Sequence, residues 1–278
     1  MAERTRRIVA DSSADTLVLE GADFAAAPLK IVTEDQEYVD DGALDVSAMA
    51  AALASYKGRS GTACPSVGDW LETFGEADEV FCLTITGELS GSYNAAVIAA
   101  RDYEERHPER RVFVMDTRST GPHMRLILEH IRDCLSRGMT FDQVRDSATA
   151  YGARTGLMFV LESMRNLANN GRVNPLTAKA AGLLGIRAVG HAKEGNLAML
   201  DKCRGQEKTR QAVLLHLTEL GYSGGAVRIS HVDNPAAAEA LRDALTARYP
   251  AADVQVYGAR GLCSFYAERG GLLIGFEK

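Results

Sequence analysis

Two short runs of consecutive apolar residues stand out in the first half of the chain. They cover residues 79–85 (EVFCLTI) and 111–116 (RVFVMD), and a segment with helical spacing of apolar residues follows each. Continuous apolar runs of this length are typical of parallel strands that are buried on both faces. The run RIVA at 7–10 fits the same pattern. Strands that alternate with helices predict a parallel α/β layer architecture.

Residues that favour helix starts precede several of the apolar patterns. Asp45 stands before VSAMAAALASYK, and Ser66 is followed three residues later by Asp69. Thr140 is followed at the same spacing by Gln143. A hydroxyl or carboxylate at the first position, with an acid or amide three residues on, is the pattern of a helix N-cap. We therefore expect helices to begin at these three positions.

After about residue 154 the pattern becomes less regular. It predicts six strands with helices among them, and one of these helices is expected at 174–185. This predicts a mixed-sheet α+β arrangement. We expect an N-terminal α/β domain at 1–153, with a small hairpin insertion at about 28–41, and a C-terminal domain at 154–278. No flexible linker separates the two, so the cleft between them is the expected ligand site.

The composition of the chain argues against several classes of function. The formal net charge is −6 and the basic residues are scattered, which argues against nucleic acid as a partner. No apolar run reaches the roughly 18 residues of a membrane span, so no integral membrane association is expected. The five cysteines lie far apart, and the six histidines show no metal-ligand spacing. We therefore expect a cytoplasmic protein without disulfides, metal or cofactor.

A turn of small residues, Ser90-Gly91-Ser92, lies between the run at 79–85 and the next predicted helix. A helix start attracts anions, because its N–H groups are unpaired and the helix dipole is positive there. No lysine follows the glycine, and the turn matches neither GxGxxG nor GxSxG, so a phosphate or nucleotide site is disfavoured. The simpler alternative is that Ser90 only caps its own helix.

A second hydroxyl-bearing stretch, GTACPS, places Thr62 shortly before the helix start at Ser66. If both turns belonged to one α/β sheet, they would meet at the carboxyl edge of its strands, where such sheets bind ligands. One carboxylate needs only two or three good donors, whereas a nucleotide needs a glycine-rich loop with lysine and metal. The two turns therefore fit a carboxylate better than a nucleotide, and the simpler alternative is again a capped helix.

Five segments in order resemble the DegV family of bacterial fatty-acid-binding proteins over nearly the whole chain: VADSSAD, TACPS, LSGSYNAA, MDTRSTG and LANNGRV with GLLGIRAV. The resemblance implies two domains that hold one long-chain fatty acid between them, with the acyl chain in an apolar tunnel. It further implies that the bound acid is presented to a separate fatty acid kinase and that the protein has no catalysis of its own.

The resemblance also implies roles for single residues. The expected contacts of the fatty-acid carboxylate are Thr62, Ser90, Gly91 and Ser92. Arg172 and Arg204 match arginines that face the kinase, although from the residues alone Arg172 reads as a surface arginine at a helix end. Tyr266 stands where the family usually has a histidine, and the proline of the family's Gly-Pro-Gly is missing.

A rival from another class is a serine-dependent esterase or acyltransferase with Ser90 as the nucleophile. Such chemistry requires a base within hydrogen-bond reach of the hydroxyl. The candidates are His231 and Asp116, which follow predicted strands. Without the resemblance, a structural histidine and a turn-capping aspartate are the simpler interpretations.

Overall fold

The computed structural model describes residues 4–175 and 185–278. In the first half of the chain, a four-stranded parallel sheet has the order β2-β1-β6-β7. Its strands are β1 Arg6–Asp11, β2 Phe24–Ala27, β6 Glu79–Thr84 and β7 Arg111–Asp116. Every residue of β6 is buried, as a central strand with both faces covered requires. The predicted parallel sheet is confirmed, although β2 was not predicted.

Helices cover both faces of this sheet. One face carries α2 Val67–Phe74 and α3 Ser92–Arg106, and the other carries α4 Gly121–Ser136 and α5 Phe141–Ala153. The predicted capping residues are confirmed at two of these helices, where a reciprocal box joins Ser66 to Asp69 and Thr140 to Gln143.

A small antiparallel sheet of order β4-β3-β5 lies beside the first one, and helix α1 Val46–Ser55 follows its hairpin. Its strands are β3 Lys30–Thr33, β4 Glu37–Val39 and β5 Ser60–Ala63. The predicted hairpin and the cap by Asp45 are confirmed. Strand β5, which carries Thr62, was not predicted, because the sequence SGTA has no apolar alternation. Thr62 therefore belongs to the small antiparallel sheet and not to the parallel sheet, where we had expected it.

The second half forms a six-stranded mixed sheet of order β10-β9-β8-β13-β11-β12, which confirms the predicted fold class. Only β11 and β12 pair in parallel. The strands are β8 Thr155–Leu161, β9 Ile186–Lys193, β10 Asn196–Arg204, β11 Val227–His231, β12 Val254–Gly258 and β13 Leu272–Glu277. The described helices are α6 Arg165–Asn169, α7 Gln206–Glu219, α8 Pro235–Arg248 and α9 Gly261–Ala267. The helix predicted at 174–185 lies almost wholly outside the described residues.

Helix α4 packs against both sheets. It belongs to the core of the parallel sheet, and its Glu129 forms a 2.7 Å ion pair with Arg228 of β11. The backbone of Pro122 lies so close to β13 that a Cβ on Gly275 would come within 2.5 Å of it. The halves therefore share a tightly packed boundary, and the domain division at residue 153 stays a prediction.

Candidate ligand-binding site

A cavity of about 360 Å³ lies between the parallel sheet and the mixed sheet. This volume is in the range of small-molecule sites, which are mainly apolar with a few polar groups. Apolar side chains from both halves line it: Leu29, Ile85, Leu89, Leu157, Phe159, Leu161, Leu197 and Leu273. Among the described residues, the only charged side chains on its wall are Arg118 and Arg172. The cavity is therefore mainly apolar, and its charged groups favour an anion.

Thr62 and Tyr266 form a hydroxyl pair on the cavity wall. Thr62 lies on β5 and Tyr266 on α9, and their oxygens are 2.8 Å apart although 204 residues separate them in the chain. Two hydroxyls hold two hydrogens and use one in their mutual bond, so the pair can still donate one hydrogen bond. Burial raises the pKa of Tyr266, and the Thr62 bond and the Arg172 charge lower it in part. The phenol is thus a neutral donor at neutral pH.

The turn at Ser90 lies beside this pair. Ser90 and Gly91 line the cavity, and a Cβ on Gly91 would lie only 3.2 Å from Sγ of Cys64, two residues after Thr62. Glycine thus allows the Ser90 turn to approach the chain that follows Thr62. Ser90 Oγ accepts a 3.3 Å hydrogen bond from Ser92 N–H. Its own O–H remains available to donate to a ligand.

Ser92 faces away from the cavity. Its fully buried hydroxyl donates a 2.6 Å hydrogen bond to Asp11, which also accepts one from Ile85 N–H at 2.9 Å. Burial raises the pKa of Asp11, and these hydrogen bonds lower it in part. The Ser92 side chain therefore helps to hold the Ser90 turn in place through Asp11, and its expected contact with a carboxylate stays a prediction.

The two arginines expected to face a partner differ in position. Arg172 is half-buried and lies on the cavity wall, near enough to Tyr266 for its charge to act on the phenol. Arg204 is exposed at the end of β10 and does not line the cavity. Arg172 therefore lies on the cavity wall together with the hydroxyl groups, whereas Arg204 does not.

The sequence model of the DegV family matches this chain from residue 5 to residue 278. The chain belongs to the DegV family. A DegV domain-containing protein of Streptococcus pneumoniae is 40% identical to this DegV-family protein, over 98% of the chain and 99% of the relative. The segments quoted from the sequence therefore indicated the family correctly.

Solved structures of relatives resemble this DegV-family protein closely. A DegV family protein from Eubacterium eligens, loaded with heptadecanoic acid, is 45% identical with a TM-score of 0.97, and the match covers 98% and 99% of the two chains. The fatty acid kinase (Fak) B3 protein of Streptococcus pneumoniae, loaded with linoleic acid, is 39% identical with a TM-score of 0.96, at the same coverage.

The requirements of a serine esterase are not met around the DegV-family cavity. No histidine, aspartate or glutamate occurs among the described residues that line it. His231 Nδ1 accepts from Asn234 N–H at 3.4 Å, and Asp116 caps its own turn by accepting from Arg118 N–H at 2.8 Å. Neither residue lines the cavity. Ser90 therefore has no general base on the described cavity wall.

Within the described residues, no three histidine, cysteine or acidic side chains come together as a metal site. The described helices also include none with the length and apolar character needed to cross a bilayer.

Helix α9, which was not predicted, is held at its start by a carboxylate from the other half of the chain. The fully buried Asp40 accepts 3.0 Å hydrogen bonds from the N–H groups of Gly261 and Leu262. Burial raises the pKa of Asp40, and these two bonds lower it in part. Because α9 carries Tyr266, this contact fixes one wall of the DegV-family cavity. The sequence offered one signal, an aspartate directly after a hairpin.

Asp15 makes a second contact of this kind. It accepts from Arg260 N–H at 2.8 Å and from the Ser230 hydroxyl at 2.9 Å, and burial raises its pKa from 3.8 to about 7. An acid whose folded pKa is raised stabilises the fold below its unfolded pKa, and this contribution is lost as pH rises through the folded pKa. Asp15 should therefore favour the folded state at pH 4 more than at pH 8.

We expect Asp15→Asn to remove this pH dependence, because the amide can accept from Arg260 and donate to Ser230 while it never ionises. Denaturant unfolding at pH 4 and pH 8 measures it. The free energy of unfolding of the wild type, relative to the variant, should fall by about 2–4 kcal/mol between these pH values. The exposed Asp35→Asn serves as the control, and equal profiles for the wild type and Asp15→Asn would contradict the assignment.

Proposed function

We propose that this protein binds one long-chain fatty acid, with the carboxylate at Thr62, Ser90 and Gly91 and the acyl chain in the cavity between the sheets. The observation that carries the proposal is the close approach of Gly91 to Cys64, which places Thr62 of β5 and the Ser90 turn on the wall of one apolar cavity. Relatives of the same fold that are loaded with heptadecanoic and linoleic acid support it.

The donors on the cavity wall match a single carboxylate. Ser90 offers one O–H and the Thr62–Tyr266 pair another, while Arg172 supplies a positive charge nearby. Charge-assisted hydrogen bonds of this kind are stronger than neutral ones. The N–H groups at the start of α3 add the positive end of a helix of 15 residues. No cofactor or metal takes part in this binding mode.

The acyl chain supplies most of the affinity. Each buried CH₂ contributes roughly 0.8 kcal/mol, so about fifteen supply on the order of 12 kcal/mol before the ordering costs of binding. The carboxylate contacts then mainly fix which end of the ligand lies at Thr62 and Ser90.

We further propose that the bound acid is presented to a separate fatty acid kinase in the cytoplasm. The Fak B3 relative, whose name refers to fatty acid kinase, supports this role. Arg204 is exposed on β10 and Arg172 lies at the cavity, so both can contact a partner that reaches the carboxylate. All five cysteines are free, in keeping with a reducing compartment.

Calorimetric titration of lipid-stripped protein with oleate tests the binding step. We expect saturation near one equivalent and a negative heat-capacity change, the signature of apolar burial. Methyl oleate, which has no charge, should bind more weakly. If neither oleate nor palmitate gives a saturable signal, the proposal fails. Turnover of a p-nitrophenyl ester that is abolished by Ser90→Ala would favour the esterase instead.

A further inference from the structure

A buried hydroxyl on the cavity wall has no partner. Ser119, in the connection between β7 and α4, is 3% exposed and lines the cavity. Its carbonyl oxygen accepts a 2.9 Å hydrogen bond from Thr86 N–H, but its Oγ meets no hydrogen-bond partner among the residues that the structure describes. The other buried serine hydroxyls among the described residues are paired, as with Ser230 to Asp15 and Ser264 to the Ala259 carbonyl.

The surroundings of Ser119 favour an electronegative atom. The next residue, Thr120, is the N-cap of α4, a helix of 16 residues, and makes no side-chain cap. The positive end of this helix dipole therefore lies beside the Ser119 hydroxyl. The start of α4 also lies close to the apolar part of the cavity, because a Cβ on Gly121 would lie 3.3 Å from the cavity-lining Leu273.

Ser119 comes from a different element than the proposed carboxylate contacts. It belongs to the β7–α4 connection, whereas Thr62, Ser90 and Tyr266 belong to other elements. The neighbouring Thr120 Oγ1 lies 3.5 Å from Sγ of Cys263, which precedes Tyr266 by about one turn of α9. A plain alkyl chain that passes this point would leave the Ser119 hydroxyl desolvated and unpaired, which costs free energy.

We propose that the preferred ligand is a fatty acid with an oxygen within its acyl chain, a hydroxyl or a carbonyl, which accepts a hydrogen bond from Ser119. This inference rests on the proposed fatty-acid binding and names the class of fatty acid. The Ser119 hydroxyl donates to the in-chain oxygen, and the start of α4 stabilises the partial negative charge on that oxygen.

Calorimetric titration with stearate and with 3-, 10- and 12-hydroxystearate tests this preference. Wild-type protein should bind at least one hydroxystearate about fivefold to a hundredfold more tightly than stearate, the range for pairing a buried hydroxyl. Ser119→Ala should abolish that preference and should bind stearate more tightly than the wild type. Ser147→Ala, which removes a hydroxyl bonded to His130 outside the cavity, is the matched control and should keep the preference.

The outcomes separate this inference from the proposed function. If stearate binds but no hydroxystearate binds better, or if the preference survives in Ser119→Ala, the in-chain oxygen is ruled out while fatty-acid binding stands. If stearate and every hydroxystearate fail to bind, the proposed function itself fails. Thermal unfolding checks the variant independently, because removal of an unpaired buried hydroxyl should not lower the melting temperature of Ser119→Ala.

Discussion

Ala192→Trp should reduce the affinity for oleate by at least about a hundredfold, equivalent to roughly 2.7 kcal/mol. Ala192 lines the cavity from β9 and is only partly buried, so a larger side chain enters the cavity space rather than the closed core. An indole there occupies volume that the acyl chain needs, and well-packed sites do not absorb such an addition without cost. The loss should appear in calorimetric titration of lipid-stripped protein.

The adjacent Lys193 provides the control for this blocking experiment. It is exposed, does not line the cavity, and points to the opposite face of the same strand. Lys193→Trp should therefore bind oleate like the wild type. A folded Ala192→Trp protein, verified by circular dichroism, that binds oleate within a fewfold of the wild type would show that the acyl chain lies elsewhere.

Ser90→Ala should weaken oleate binding by about 1–3 kcal/mol, because the carboxylate loses a donor while it remains buried. Thr62→Val, which keeps the side-chain shape but breaks the bond to Tyr266, should have an effect of similar size. Ser60→Ala on the same strand is the matched control, since Ser60 does not line the cavity.

The same Ser90→Ala variant distinguishes a charge contact from a packing contact. Its effect on methyl oleate should be clearly smaller than its effect on oleate, because hydrogen bonds to charged groups are stronger than those to neutral groups. Equal losses for the two ligands would mean that Ser90 supports the cavity without contacting the head group.

The sequence predicted those elements whose signals are local. The apolar runs of β6 and β7 identify strands by themselves, although only β6 is fully buried, and the Ser66–Asp69 and Thr140–Gln143 caps depend on residues three positions apart. Strand β5 and helix α9 were not predicted, because their sequences carry no such local signal. One is four small and polar residues long and the other covers seven residues, both too short for periodicity to show.

The candidate site was only partly predictable, because its geometry depends on contacts between distant parts of the chain. The Ser90 turn could be predicted, because small residues precede a helical pattern there. Nothing in the local sequence indicates that the Tyr266 hydroxyl forms a hydrogen bond with Thr62. The sequence also could not separate Ser90 from Ser92, since only the buried Asp11 decides which hydroxyl is already engaged. The unpaired Ser119 hydroxyl becomes visible only when the wall of the cavity is known.

Mass spectrometry of the lipid released from natively purified protein tests the central claim most directly. After the protein is washed free of loosely bound lipid and denatured, we expect a fatty acid with a free carboxyl group at close to one equivalent per chain. Ala192→Trp prepared in parallel should release much less. Wild-type protein that releases no fatty acid, and that takes up none when oleate is supplied in excess, would contradict the account.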